Sequence, residues 1–466
     1  MAGMMTDSLA LGKKGYLCTK KKNLKEIPGY KDIWKVGYPI ILSLIAQNIV
    51  NVTDTAFLGR LGEVALGAAA IGGLLYISIY MLGYGFSTGA QILIARRNGE
   101  KKYSQTGEIT DQALYATLLL GITITVLLFY FTPTIIHASI QSPEIANASI
   151  TFLEYRIWGL SFVYLNAVFR AFYVGITQTR ILTISAAIMA GANIILDYGL
   201  IFGHLGLPEL GIAGAAIASV IAEMLATIYF IAKTATFKSR RQYSIFSFTK
   251  PDFRVLKQML DLSVWMMLQN FLSLASWLGF FMIVEKTGEH NLAISNIIRS
   301  IYLVLIIPIM SLGTVVNTMV SNSIGSYGPK FVFPVIKQVM WFSSWLLILP
   351  SALALITPQL LIRIYTSDPL LIADSVATLR LIGGLLFLFN ISYLLFQAVS
   401  ATGNTRTSLA IEAFTIAVYL GFSYLFAIPF KLEVFYIWSS EYIYFSIMLI
   451  LSLGYMIKGD WRSRKI

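Results

Sequence analysis

The stretch that decides the fold runs from residue 34 to residue 58 and reads WKVGYPIILSLIAQNIVNVTDTAFL. It is long and apolar enough to cross a membrane as one helix, yet it contains Asp54, with Gln47 and Asn51 on the same helical face. A carboxylate at bilayer depth costs about 3 kcal/mol, so it is retained where it pairs, titrates or coordinates an ion. The stretch therefore predicts a membrane helix with an ionisable site, and movement of ions or protons is the first hypothesis.

A second acid has a similar setting. Asp197 lies near the end of the apolar stretch 184–201, and Asn193 lies one helical turn before it. Two carboxylates that share a partly buried pocket cannot both stay ionised cheaply, so we expect the two acids to bind a positive particle as a unit. Oxygen ligands of this kind suit Na⁺ as well as a proton. The sequence leaves the choice between the two open.

The composition is that of an integral membrane protein. Of 466 residues, 57% are hydrophobic and 12% charged, and the mean hydropathy is +0.72, far more apolar surface than a soluble core needs. The single cysteine, Cys18, excludes a disulfide framework and a thiolate metal site. The three histidines are scattered along the chain, so we expect no metal cluster and no cofactor. The first 35 residues are polar and basic and do not resemble a cleavable signal peptide.

Runs of about 20 apolar residues, each long enough to span a bilayer, recur along the chain. They predict twelve transmembrane helices, at 36–58, 64–94, 112–134, 148–173, 181–203, 211–235, 258–284, 291–320, 334–356, 372–398, 407–429 and 435–457.

The basic residues orient these helices. If the amino-terminal tail is cytoplasmic, 27 of the 35 lysines and arginines fall on that side, four fall on the other side and four lie inside helices. This bias predicts an inner (cell) membrane protein with both termini in the cytoplasm. It also explains the net charge of +12 through topology and contact with anionic lipid headgroups, without a nucleic-acid partner.

The chain repeats itself at one offset. Three pairs, each 226 residues apart, stand at equivalent helix ends: Gly62-Glu63 with Gly288-Glu289, Gly99 with Gly325, and Thr179-Arg180 with Thr405-Arg406. Because six helices is an even number, both halves enter from the same side, and the repeat is a parallel pseudo-two-fold one. We therefore predict an all-α fold of two six-helix lobes, divided into a basic cytoplasmic tail (1–35), an amino-terminal lobe (36–235), a cytoplasmic linker (236–257), a carboxyl-terminal lobe (258–457) and a second cytoplasmic tail (458–466).

Two facing repeats with no ATP-binding motif favour gradient-driven transport. Several features together resemble the multidrug and toxic compound extrusion (MATE) transporters, over nearly the whole of 36–457. They are Pro39, Gln47, Asp54 and Gly59 in the first helix, the Asn193–Asp197 spacing, GIAGAAIAS at 211–219, GITQTR at 175–180 and TGNTR at 402–406. The acids are most similar to those of the prokaryotic DinF-like branch, since Gln269 and Asn270 stand where other branches carry a glutamate.

The resemblance implies a function and a site. It implies a secondary active antiporter that exports amphipathic, often cationic organic compounds in exchange for H⁺ or Na⁺ by alternating access. The coupling site would be Asp54, Asn193, Asp197 and Ser219, which are also the possible Na⁺ ligands, and Pro39 would be the hinge of the first helix. A tyrosine that the family often places nearby corresponds to Phe152, with Tyr155 on another face.

Other polar residues have weaker interpretations. Gln47, Asn51 and Glu223 are candidates for the substrate cavity, and Glu223 could equally pair with Arg156 or Arg170. We expect Glu412 to neutralise Arg406, and Arg299 and Arg380 have no assigned partner.

Two alternatives stay open. One is a flippase for lipid-linked oligosaccharides from the same superfamily, for which more helices and a cavity rich in Arg and Lys are typical. The other is an integral membrane transferase, which would need an interfacial His, acid pair or metal cluster that the sequence lacks. We therefore expect a monomeric transporter without enzymatic activity, whose partners are small organic molecules and membrane lipids.

Overall fold

The computed structural model describes residues 28–466 apart from 248 and 465. Cys18 and the predicted tail as far as residue 27 lie outside the described residues. Over the described part, the chain folds into α-helices with short 3-10 segments, and eleven helices are long and apolar enough to cross a membrane, or twelve spans when one bent pair is counted as a single span. In chain order the spans are Tyr30–Leu61, Glu63–Gly99, Tyr103–Ser139, Pro143–Gly175, Arg180–Phe202, Ile212–Ala235, Phe253–Glu285, the pair Glu289–Leu305 and Ile307–Tyr327, Val332–Ile356, Pro369–Ala401, Thr405–Ala427 and Val434–Lys458.

The predicted twelve-helix, all-α class is confirmed, and the structure refines the spans. The eighth span bends by 45° at Ile306, because Pro308 in the first turn of its second half has no N–H to continue the first half. The fourth span contains a 3-10 turn at Ile157–Gly159. The first span begins at Tyr30, so the last residues of the predicted tail are already helical.

The repeat is visible in the backbone. Gly62 joins the first two spans with φ 118°, and Gly288 joins the seventh and eighth with φ 112°. Side chains other than hydrogen are disfavoured at this φ, so the same sharp turn in both halves requires glycine. The boundaries of the two lobes stay as predicted from this offset.

The lobes meet at one end of the molecule, the end that carries Arg96 and Arg97, here called the basic end. Gln91 donates to Asn317, its partner at the 226-residue offset (3.5 Å), and Asn98 donates to Asn322 (2.8 Å). A Cβ on Gly99 would lie 2.2 Å from the Asn322 carbonyl oxygen, so only glycine allows this approach. Repeat-related residues therefore face each other at the seam.

The other contacts between the lobes lie toward the same end. Ser263 donates to the Phe86 carbonyl (2.9 Å), and Ser311 donates to the Gly37 carbonyl (3.0 Å). Ser321 donates to the Ile92 carbonyl (2.8 Å). These hydroxyl groups satisfy backbone acceptors across the seam and hold the two lobes together there.

The linker between the lobes is ordered against the third span. It carries a short helix, Arg240–Tyr243, and its backbone N–H groups at Phe246 and Ser247 donate to the Asp111 carboxylate (both 3.0 Å). The Tyr243 hydroxyl donates to Asn98 at the seam (2.9 Å). The connection between the two lobes therefore packs on the basic end.

Candidate functional site

The structure brings the two predicted acids together inside the amino-terminal lobe. The first span packs along the fifth, which places the carboxyl groups of Asp54 and Asp197 within hydrogen-bonding reach of each other. Asp197 is fully buried and Asp54 is half-buried. Since two carboxyl groups can share a hydrogen bond only when one of them carries a proton, this arrangement requires a positive particle between or beside them.

Two further predicted residues complete the cluster. Asn193 is buried one turn before Asp197, and its amide nitrogen donates to the Ser219 hydroxyl on the sixth span (3.3 Å). This bond turns the Asn193 carbonyl oxygen away from Ser219. Among the described residues, that oxygen, Asp54 Oδ1 and both Asp197 carboxylate oxygens are buried and accept no hydrogen bond. Four acceptors without donors form an electronegative pocket, here called the acid pocket.

An ion pair closes one side of the acid pocket. Arg156 and Glu223 form a bidentate bridge of 2.6 and 2.9 Å, and the Tyr76 hydroxyl contacts both side chains. The Arg156 guanidinium also lies 3.8 Å from the centre of the Tyr76 ring. Gly159 makes room for the pair, since a Cβ there would lie 2.4 Å from Glu223 Oε2.

This pair acts on the acids from a distance. The Arg156 charge is close enough to act on both Asp54 and Asp197, although its direct partner is Glu223. Of the two interpretations of Glu223 from the sequence, the structure shows the pairing with Arg156. Its expected role in a substrate cavity stays a prediction.

The remaining predicted residues near the acids lie apart from them. Gln47 and Asn51 are exposed on the first span and do not line the central cavity described below. Phe152 is buried against Gly72, and Tyr155 is exposed. The phenolic hydroxyl in this region comes from Tyr76 on the second span, a residue that the sequence did not single out.

The predicted hinge residue, Pro39, is supported by two threonines. Proline has no N–H, so the Lys35 carbonyl loses its helical partner. The Thr179 hydroxyl donates to the Val36 carbonyl (2.8 Å) and contacts the Lys35 carbonyl (3.4 Å), and Thr183 donates to the Pro39 carbonyl (3.2 Å). Thr179 belongs to the GITQTR motif, and this motif therefore satisfies the interrupted turn of the first span.

A second site lies between the lobes. A cavity of about 230 Å³ is lined mainly by the carboxyl-terminal lobe, with four residues from the amino-terminal lobe on its rim. Here it is called the central cavity. Its lining residues are Tyr84, Thr88, Gln91, Arg170, Met266, Gln269, Asn270, Ser273, Ser276, Trp277, Tyr302, Ile306, Met310, Thr314, Asn317, Phe389, Tyr393, Phe396, Gln397, Glu412, Tyr419, Glu441, Tyr444, Phe445 and Met448.

The central cavity corrects one prediction from the sequence. Glu412 does not bind Arg406: its Oε1 accepts hydrogen bonds from Ser273 (2.7 Å) and Tyr444 (2.8 Å), while Arg406 lies over the Trp265 ring. Positions 406 and 412 are about 240° apart around a helix, so their side chains leave on different faces.

The other two unassigned arginines have described contacts. Arg299 lies over the Phe281 ring, with 4.8 Å between the guanidinium carbon and the ring centre, and Arg380 donates to the Leu355 carbonyl (3.2 Å). Neither contact points to a ligand. Within the described residues, no group of three or more His, Cys, Asp and Glu side chains is placed to hold a metal ion.

The fold and the buried acids define a multi-pass membrane protein with two packed lobes and an ionisable pocket. The MatE family model matches residues 39–199 and 263–425, once in each half, so the chain belongs to the MatE family. A probable multidrug resistance protein NorM of Thermotoga maritima is 24% identical over 457 residues, with 97% of each chain covered. The placement in the DinF-like branch stays a prediction.

Solved structures support the same fold. A MATE structure in the straight conformation superposes with a TM-score of 0.84 at 18% identity, over 93% of this chain and 95% of the other. An outward-facing MATE transporter of the MOP superfamily gives a TM-score of 0.82 at 18% identity, over 92% and 95%. At this identity the likeness concerns the fold, including its two-lobe architecture.

Proposed function

We propose that this chain is a secondary active antiporter that exports amphipathic, cationic organic compounds in exchange for H⁺ or Na⁺. It would act in the inner membrane as a monomer, with both termini in the cytoplasm and without a cofactor or enzymatic activity. The name of the Thermotoga maritima relative supports drug export as the biological role.

One observation carries the proposal: the acid pocket gathers four buried oxygens that accept no bond within the described part of the chain. A proton on Asp54 or Asp197 would become the missing donor between the carboxyl groups. Alternatively, a Na⁺ ion would take the same oxygens together with the Ser219 hydroxyl as hard ligands. In either case the positive particle removes the cost of an unpaired charge at membrane depth.

The position of the seam gives the cycle its direction. The lobes are held together at the basic end, which positive-inside topology assigns to the cytoplasm, so the structure represents a state closed to the cytoplasm. In this state H⁺ or Na⁺ reaches the acid pocket from outside, the first span bends at Pro39 and the compound leaves. The ion drives this step only through unequal affinity for the two states.

Two competing functions have less support. A flippase for oligosaccharide phosphates would need cationic side chains to hold its substrate. Among the residues that line the central cavity, Arg170 is the one arginine, and two glutamates accompany it. A transferase would need a catalytic cluster, and the acid pocket holds no nucleophile paired with a base.

The experiment is transport into proteoliposomes with ethidium as the compound and the two gradients imposed separately. We expect one gradient, of protons or of sodium, to drive uptake against the ethidium gradient. The Asp54→Asn protein should insert normally and lose this uptake, while Ser423→Ala, at the repeat-related position of Asp197, should retain it. Equal uptake by the Asp54→Asn protein would contradict the mechanism, and uptake that responds to neither gradient would contradict antiport.

A further inference from the structure

We propose that the central cavity is the binding site of the exported compound, and that Glu412 and Glu441 recognise an aromatic organic monocation there. The inference rests on the proposed function for the identity of the cargo, but the site is physically separate from the acid pocket. It assigns the two ligands to different lobes: the small ion to the amino-terminal lobe and the organic cation to the carboxyl-terminal lobe.

Glu412 on the eleventh span has the features of a ligand-binding carboxylate. Its side chain is buried, at 3% exposure, and two hydroxyl groups bind Oε1. Oε2 is buried in the lining of the cavity and accepts no bond from the described residues. Ser273 and Tyr444 therefore fix the orientation of the carboxyl group and leave one oxygen available for a ligand.

Glu441 on the twelfth span provides the second carboxyl group. It is 6% exposed, lines the same cavity and has the Tyr419 hydroxyl within hydrogen-bonding reach. Neither Glu412 nor Glu441 forms a salt bridge with a described lysine or arginine. An ionised carboxylate at this depth needs a cation, and a bound ligand would supply it.

The arginine on the cavity rim does not take this role. Arg170 belongs to the amino-terminal lobe, donates to the Tyr84 hydroxyl (3.3 Å) and has the hydroxyl groups of Tyr80 and Tyr393 as its other polar neighbours. The positive charge is thus held at the rim by tyrosines, while the negative charge lies in the carboxyl-terminal lobe. This separation favours a ligand whose cationic end enters that lobe.

The cavity wall adds aromatic surface beside the carboxyl groups. Tyr444 meets Phe445 edge to face at 4.8 Å between ring centres, Phe389 stacks on Phe445 at 4.1 Å, and Trp277 lies 6.0 Å from Tyr302. Aromatic faces attract organic cations and pack against flat apolar rings, whereas a hydrated metal ion gains little from them. The chemistry of the wall therefore points to an aromatic organic cation.

The test compares binding of a cation and of a neutral compound of similar shape. The probes are tetraphenylphosphonium and triphenylphosphine oxide, measured by calorimetry on the full-length protein in detergent. The variants are Glu412→Gln, Glu441→Gln and the double variant, and Glu433→Gln on an exposed loop is the control. We expect each cavity variant to weaken phosphonium binding by about tenfold, the loss of one partly buried charge contact, and to leave the neutral compound unaffected. Unchanged phosphonium affinity in the double variant would overturn the proposal.

A second measurement uses the wild-type protein and so does not depend on how the variants fold. Dicyclohexylcarbodiimide modifies carboxyl groups in apolar surroundings, and mass spectrometry locates the modified residues. Tetraphenylphosphonium should protect Glu412 and Glu441 but leave labelling of Asp54 unchanged. Equal labelling of both glutamates with and without the cation would contradict the site.

The outcomes separate this inference from the proposed function. If the wild-type protein binds phosphonium through the glutamates but no ion gradient moves it, the antiport proposal fails and the site stands. If the double variant exports phosphonium with an unchanged KM, the site fails and antiport stands. Asp54→Asn should abolish coupled export and retain phosphonium binding.

Discussion

The two lobes share one backbone plan but place different chemistry at equivalent positions. At the 226-residue offset, Asp54 corresponds to Phe280 and Asn193 corresponds to Tyr419, and these two aromatic rings stack at 5.7 Å. Asp197 corresponds to Ser423, whose hydroxyl bonds Ser440 (2.8 Å). The acid pocket of the first lobe is therefore an aromatic and hydroxyl cluster in the second.

The acids of the second lobe occupy different positions. The twelfth span begins 222 residues after the sixth, because the loop before it is shorter, and at this offset Ser219 corresponds to Glu441. The contact between Asn193 and Ser219 then has its counterpart between Tyr419 and Glu441. The comparison teaches that the repeat preserves helix packing, while a few substitutions convert a pocket for a small ion into a cavity for an aromatic cation.

The hinge shows the same divergence. Pro39 interrupts the first span, whereas the equivalent position of the seventh span is Trp265, which packs under Arg406. Only the first lobe therefore combines a proline-broken helix with buried acids. We expect ion binding to bend the first lobe and to leave the second lobe essentially rigid.

The largest expected effect breaks this comparison at the acids. Asp197→Asn replaces one carboxylate of the pair by an amide that cannot exchange a proton, so ion-driven ethidium export should fall to the background of empty liposomes. Phe280→Leu, at the position equivalent to Asp54, should retain most of the rate. The comparison would be wrong if the Phe280 variant lost coupling and the Asp197 variant retained it.

The second prediction concerns the ion pair beside the acid pocket. Arg156→Gln leaves Glu223 buried without its partner and should lower the free energy of unfolding by about 3–5 kcal/mol. Adding Glu223→Gln should recover much of this loss, because no unpaired charge remains. Thermal unfolding in detergent measures both variants, and equal melting temperatures of the single variant and the wild type would show that the pair is not a structural one.

The smallest effect concerns the hinge. Thr179→Val removes the hydroxyl that satisfies the broken turn at Pro39 and should cost about 1 kcal/mol, seen as slower turnover with unchanged ethidium affinity. Thr405→Val, the repeat-related change in a lobe without the proline, should not slow turnover. If both changes slow transport equally, the threonine has no special role at the hinge.

The sequence predicted the parts of the site whose signal is local. A carboxylate within an apolar run is conspicuous, so Asp54 and Asp197 could be identified, and Asn193 followed from its position one turn away. The repeat offset likewise predicted two lobes. Residues that act across helices carried no such signal: Tyr76 reaches the pair of Arg156 and Glu223 from a span about 80 residues earlier.

The error at Glu412 has the same origin. Proximity in sequence suggested Arg406 as its partner, but helix packing brings Ser273 and Tyr444 to Glu412 from two other spans. The bend of the eighth span was also missed, although Pro308 marks it, because hydropathy alone does not register a change of direction.

The central claim is that a positive particle in the acid pocket changes the arrangement of the lobes. Spin labels at residues 209 and 433, exposed glutamate positions on the loops opposite the basic end, report the distance between the lobes by pulsed electron paramagnetic resonance. Adding the coupling ion, by lowering the pH or by adding Na⁺, should shift the distance distribution in the wild type and leave it unchanged in Asp54→Asn and Asp197→Asn. An equal shift in these variants would contradict the claim.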